Sequence, residues 1–96
     1  MKVMAIARPK APLTPEQIKE HLPGEVPATL KLYLEGKIDQ FWYRAQGGPI
    51  FLMNAETAEQ AQAALDTLPL VRAKLFEYEL IPVGPLLPLG RLLPGA

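Results

Sequence analysis

Two different periods of apolar and polar residues run along this chain. Residues 75–81, LFEYELI, alternate one by one: Phe76, Tyr78 and Leu80 on one side, Leu75, Glu77, Glu79 and Ile81 on the other. That alternation predicts a strand. Residues 2–8, KVMAIAR, form a short apolar run with a charge at each end and predict another. Pro9 and Pro12 then forbid regular pairing and force a loop. Residues 38–44, IDQFWYR, and 50–54, IFLMN, are rich in β-branched and aromatic side chains and flank Gln46-Gly47-Gly48-Pro49. They predict a hairpin.

The helical period appears twice. Thr14 is placed to cap a helix, Pro15 suits its first position, and Glu16 favours the positive end of the dipole. Ile18 and Leu22 share a face, and Leu30, Tyr33 and Leu34 continue the stripe to a C-terminal cap at Gly36. Pro23-Gly24 and Pro27 interrupt it, which predicts a kink or restart near Glu25. A second helix starts at Thr57, which makes a capping-box pattern with Gln60. Its apolar face, Ala58, Ala61, Ala64, Leu65 and Leu68, is small enough for close packing on a sheet, and Pro69 is expected to end it.

The order β-α-β-β-α-β predicts an α+β domain of ferredoxin-like arrangement: an antiparallel four-stranded sheet with two helices on one face. The second and third strands carry apolar residues on both faces, so something is expected to cover the side away from the helices. The domain is assigned to residues 1–85. Residues 86–96, LLPLGRLLPGA, hold five leucines broken by proline and glycine. This tail is too apolar to trail in water and is expected to pack on a neighbouring subunit.

Composition narrows the functional classes. In 96 residues, ten basic and ten acidic side chains cancel, so no long-range field draws the chain to phosphate and nucleic acid is not an expected partner. No apolar stretch approaches the length of a membrane span, and the apolar run at the start is too short for a signal-peptide core; a cytoplasmic location is the expectation. Without cysteine there is no disulfide and no thiolate, and without serine no serine nucleophile. Oligomerisation remains the common way to steady a core this small. His21 is the one histidine, so no metal site is expected, and Gly47-Gly48-Pro49 lacks the residues of a phosphate loop.

Residues 36–82 resemble the muconolactone isomerase family of the dimeric α+β barrel group. The resemblance rests on Gly36 before a strand containing Trp42, then Gly47-Gly48 and the strand IFLMN. It continues through the Thr57-Ala58-Glu59 helix start, Leu68-Pro69-Leu70, and the Glu-Tyr-Glu-Leu strand at residues 77–80. It implies homodimers packed sheet to sheet into a barrel, further assembly into rings, and proton transfer on a small carboxylated lactone that shifts a double bond without metal or organic cofactor. A non-catalytic ligand-binding or assembly module of the same barrel type is the alternative, and a cofactor-free oxygenase of the related monooxygenase group is a third.

Candidate site residues follow from the alternation. Glu77 and Glu79 share a face, about 7 Å apart by strand rise. If that face lines a barrel, one carboxylate is placed to act as a base; the alternative is a solvated or ion-paired face. The first and last strands are neighbours in the ferredoxin-like order, so Arg8 or Lys2 is placed to pair with a glutamate, as structural glue or an anion site. Trp42 and Arg44 on one face offer a stacking wall and a carboxylate clamp; on the other face Tyr43 offers a hydroxyl beside Phe41. Ordinary sheet packing explains the same residues.

Overall fold

The computed structural model describes residues 2–84. The expectation that residues 86–96 pack on a neighbouring subunit lies outside the described residues. The elements run β1 (Lys2–Pro9), α1 (Pro15–Leu34), β2 (Ile38–Tyr43), β3 (Pro49–Met53), α2 (Ala58–Leu65), α3 (Pro69–Arg72) and β4 (Phe76–Val83). The chain is an α+β domain whose four strands lie antiparallel in the order β2-β3-β1-β4, compatible with a ferredoxin-like fold.

The helix starts read from sequence form as capping chemistry dictates. The Thr14 hydroxyl accepts from the Gln17 N–H at 3.2 Å, and the Gln17 side chain accepts from the Thr14 N–H at 3.0 Å. Thr57 accepts from the Gln60 N–H, but the Gln60 side chain reaches one residue further back, to the Glu56 N–H. At the far end of α1 the Lys37 N–H bonds the Leu32 carbonyl and the Gly36 N–H bonds the Tyr33 carbonyl. That pair closes the helix around a left-handed Gly36, φ 79°.

Two boundaries differ from the sequence expectation. First, α1 runs unbroken through Pro23 and Pro27. Each proline removes one backbone donor, yet both ends are capped and the helix packs on α3 and β2, which outweighs the local penalty. Second, α2 ends at Leu65, and Pro69 opens a further single turn, α3, instead of only terminating a helix. Proline is excluded from a helix interior but suits its first position.

The core lies between the sheet and the helices. Val3, Ala5 and Ala7 of β1, Phe51 and Met53 of β3, and Phe76 and Tyr78 of β4 face the helices. Ala61, Leu65, Leu68 and Leu70 meet them from above. Phe51 and Tyr78 stack with ring centroids 5.6 Å apart. The opposite face, carrying Lys2, Met4, Ile6 and Arg8 with Ile50, Leu52, Glu77, Glu79 and Ile81, has no helix over it among the described residues.

Candidate functional site

The residues marked by strand alternation divide between the two faces and one loop. In the β2–β3 register Phe41 stands opposite Phe51 and Tyr43 opposite Pro49, on the helix side. Trp42 stands opposite Ile50, on the open side. Trp42 and Tyr43 are both exposed. Glu77 and Glu79 lie on the open face of β4, where Arg8 forms an ion pair with Glu79. Lys2 goes elsewhere, to Asp39 at 2.9 Å and to the Asn54 side chain at 2.8 Å. Both ion pairs are partly solvated, so each contributes little to stability.

Arg44 has a different place. It follows the last residue of β2, and its guanidinium donates to the carbonyls of Ala7, Gly47 and Gly48. Those three bonds lace the hairpin loop to the end of β1. Three of the five N–H donors, all on the Nε–Nη2 edge, go to backbone carbonyls, so that edge is not free to clamp a carboxylate.

Trp42 and Tyr43, two of the residues marked from sequence, line a cleft between α1 and the sheet together with Phe41. Its volume is about 950 Å³. One wall is the apolar stripe of α1: Ile18, Leu22, Val26 and Leu30, which remain 41, 43, 53 and 46% exposed. The other is the outer end of β2 with Phe41 and Phe51. Phe76 and the Gly48 turn close one end. Gly48 has φ 85°, and a Cβ there would lie 2.7 Å from the Phe76 ring, so this close approach needs glycine.

Glu25 is the buried charged residue of the structure and lines this cleft. Its Oε1 accepts from the Leu70 N–H at 2.9 Å. Leu68, the residue that caps α3, supplies no side-chain bond, so Glu25 serves as that helix's cap from across the core. Burial raises the Glu25 pKa above its ordinary value; the Leu70 bond and the His21 ring one turn earlier pull it partly back. Tyr78 lies behind Phe51 on β4. Its hydroxyl is buried and has no hydrogen-bond partner among the described residues. Burial, and then the negative charge at Glu25, push its phenol well above the usual tyrosine value.

Chemically, the arrangement is an apolar cavity of small-molecule size with one carboxyl group whose proton affinity is raised. A pocket of a few hundred to about 1,000 Å³ with few polar groups is the usual form of a small-ligand site. A carboxyl of this kind is suited to take up and return a proton. The sequence carried a signal for it: Glu25 sits three residues after Leu22 and seven before Leu32, within the apolar stripe of α1. A carboxylate on the buried face of a helix is the informative exception to burial rules. Among the described residues no cluster of three or more potential ligands for a metal ion occurs, and no helix is long and apolar enough to cross a membrane. No family model matches the chain, and no curated protein matches it.

Proposed function

We propose that this protein binds a small, mainly apolar carbonyl compound in the α1 cleft and shifts a proton on it through Glu25, an isomerase-type reaction that uses no cofactor. The observation that carries the reading is the buried Glu25 carboxyl on the lining of a cleft of about 950 Å³. As a base, the Glu25 carboxylate takes a proton from the carbon next to the carbonyl. As an acid, it returns that proton to the far end of the allylic system, so the double bond moves and no atom is lost. The raised proton affinity favours the first half, and in this scheme the same carboxyl, reaching both carbons from the cleft wall, carries out the second. The resemblance of residues 36–82 to muconolactone isomerases supports the same reaction class, with a lactone as the carbonyl compound. Placing the chemistry at Glu25 and not at Glu77 or Glu79 follows from surroundings. Glu79 is already paired with Arg8 in partial contact with water, and Glu77 is exposed.

A β,γ-unsaturated butenolide in heavy water tests the reading. The wild type is expected to move the double bond and incorporate deuterium, and Glu25→Gln to slow this by about 10²–10⁴-fold while remaining folded. Glu77→Gln is expected to leave the rate unchanged. The reverse pattern would move the chemistry to the open face. Saturable binding without exchange would favour the non-catalytic ligand-binding module.

The dimeric barrel belongs to the same proposal. Met4, Ile6, Ile50 and Leu52 are half-buried on the open face, with Trp42 and Ile81 exposed beside them. Two copies packed through these faces would cover an apolar surface that is costly in water. Light scattering on a sizing column is expected to give at least a dimer, and Ile6→Arg to dissociate it.

A further inference from the structure

A small ring compound fills only part of a cleft of about 950 Å³. Four large apolar side chains of α1 stay about half exposed along it, and Trp42 and Tyr43 are exposed on the facing edge. A continuous apolar patch of this kind marks a docking surface. The chain itself carries a segment of matching chemistry beyond the described residues. From Pro85 it reads PLLPLGRLLPGA, five leucines with prolines interspersed. Pro85 and Pro88 have the spacing of segments that dock in aromatic-lined grooves, where proline reduces the entropy lost on binding.

The place where this segment starts decides whose cleft it meets. The order β2-β3-β1-β4 leaves β2 and β4 as the free edges of the sheet. The cleft opens beside β2, and the segment leaves the end of β4, where Val83 stands opposite Lys2. Within one chain α2 packs over β4 and β1 on that side, and its Glu59, Gln60 and Asp66 are exposed. A leucine-rich segment bound for its own cleft would have to cross that polar surface. In a pair whose open faces meet about a two-fold axis along the strands, each β4 edge lies over the partner's β2 edge. Face-to-face sheets are about 10 Å apart, and a strand the length of β2 spans about 17 Å, so about 20 Å separates Val83 from the far end of that edge. About six extended residues cover this distance, and Leu92 and Leu93 lie beyond them. We propose that residues 86–93 of one copy dock in the α1 cleft of a second copy, with Leu92 and Leu93 against the α1 stripe. The inference rests on the open-face pair proposed above and not on proton transfer by Glu25. The docked segment forms the outer wall of the cleft and shields a bound molecule from water.

The absence of cysteine allows a clean test on the full chain. Unlabelled Ala96→Cys protein carrying a nitroxide is mixed in urea with ¹⁵N-labelled wild type, and the two are refolded together. Amides of Ile18, Leu22 and Val26 in the ¹⁵N copy are expected to lose most of their intensity, and those of Ala61 and Leu65 to keep theirs. Adding Leu92→Asp and Leu93→Asp to the nitroxide copy should restore the lost signals. Full intensity along α1 in the mixed sample overturns the inference. So does loss that appears only when nitroxide and ¹⁵N share one chain, or loss that survives the two aspartates. Light scattering and deuterium exchange into the butenolide are read separately. A dimer that turns over the butenolide without α1 broadening removes the docked segment alone, and α1 broadening without exchange removes the proton transfer alone.

Discussion

The helices α1 and α2 lie over the same sheet, but they meet it in opposite ways. On α2, Ala61 and Leu65 are fully buried. Alanine at the contact lets the helix axis approach the strands closely, and the space left beside Ala61 and Ala64 is about 170 Å³. On α1, Leu32 and Glu25 are the buried residues, and four large apolar side chains remain about half exposed. The main contacts of α1 go to α3 and to the edge strand β2, not to the central strands. The same sequence logic, an apolar stripe at helical spacing, therefore produces a closed core in one place and a cleft in the other. Side-chain size at the contact, not hydrophobicity, decides between them.

The largest expected effect breaks this contrast by truncation. Leu65→Ala should cost about 2–5 kcal/mol, since it removes fully buried methyl groups and leaves a cavity. Leu22→Ala on α1 should cost less than about 1 kcal/mol, because its side chain is already partly in water. Urea denaturation of the two variants measures the difference. Equal losses would mean that α1 is packed as tightly as α2.

Enlarging the contact has the next largest effect. Ala61→Leu should destabilise by about 1–3 kcal/mol through overpacking. Val26→Leu, which points into the cleft, should be close to neutral. Thermal melts of the pair read this directly.

The smallest effect is a pH dependence. The Glu25 pKa is raised in the folded state from an ordinary 4.5, chiefly by burial. The folded protein then binds this proton more tightly than the unfolded chain. The associated stability is fully present below the unfolded value of about 4.5 and is lost as pH rises through the folded value. Glu25→Gln keeps an acceptor for the Leu70 N–H but removes the proton. The stability of wild type relative to Glu25→Gln should therefore fall from pH 4 to pH 7. A constant difference across that range would show that the carboxyl titrates as it does in water.

Most of the fold was legible in the sequence because it rests on local chemistry. The strands announce themselves by alternation, Thr14 and Thr57 by their capping partners, and Gly36 by the turn it permits. Pro69 follows the end of α2 and opens α3, and proline's exclusion from helix interiors and its preference for first turns look alike in one dimension. The unbroken course of α1 was not legible, because packing on α3 and β2 decides it. The site was less visible for the same reason. Alternation points to Glu77, Glu79 and Arg8, which the strands display on the open face, and to Trp42 and Tyr43, which line the cleft, but it does not show that α1 forms the other wall. Arg44 lies past the end of its strand, where loop carbonyls claim it. Glu25 stood in the sequence as a carboxylate within an apolar stripe. Its importance depends on burial and on Leu70, 45 positions away along the chain.

The cleft itself is the claim on which the account depends, and amide shift mapping with 2-acetylnaphthalene tests it most directly. The probe is apolar, carries one carbonyl group and fits the volume. Saturable shifts are predicted along α1 at Ile18, Leu22, Val26 and Leu30 and across the cleft at Phe41 and Leu70, with Ala61 and Leu65 of α2 unmoved. Shifts centred on Met4, Ile6 and Leu52 of the open face, or no saturable shift at all, would contradict it.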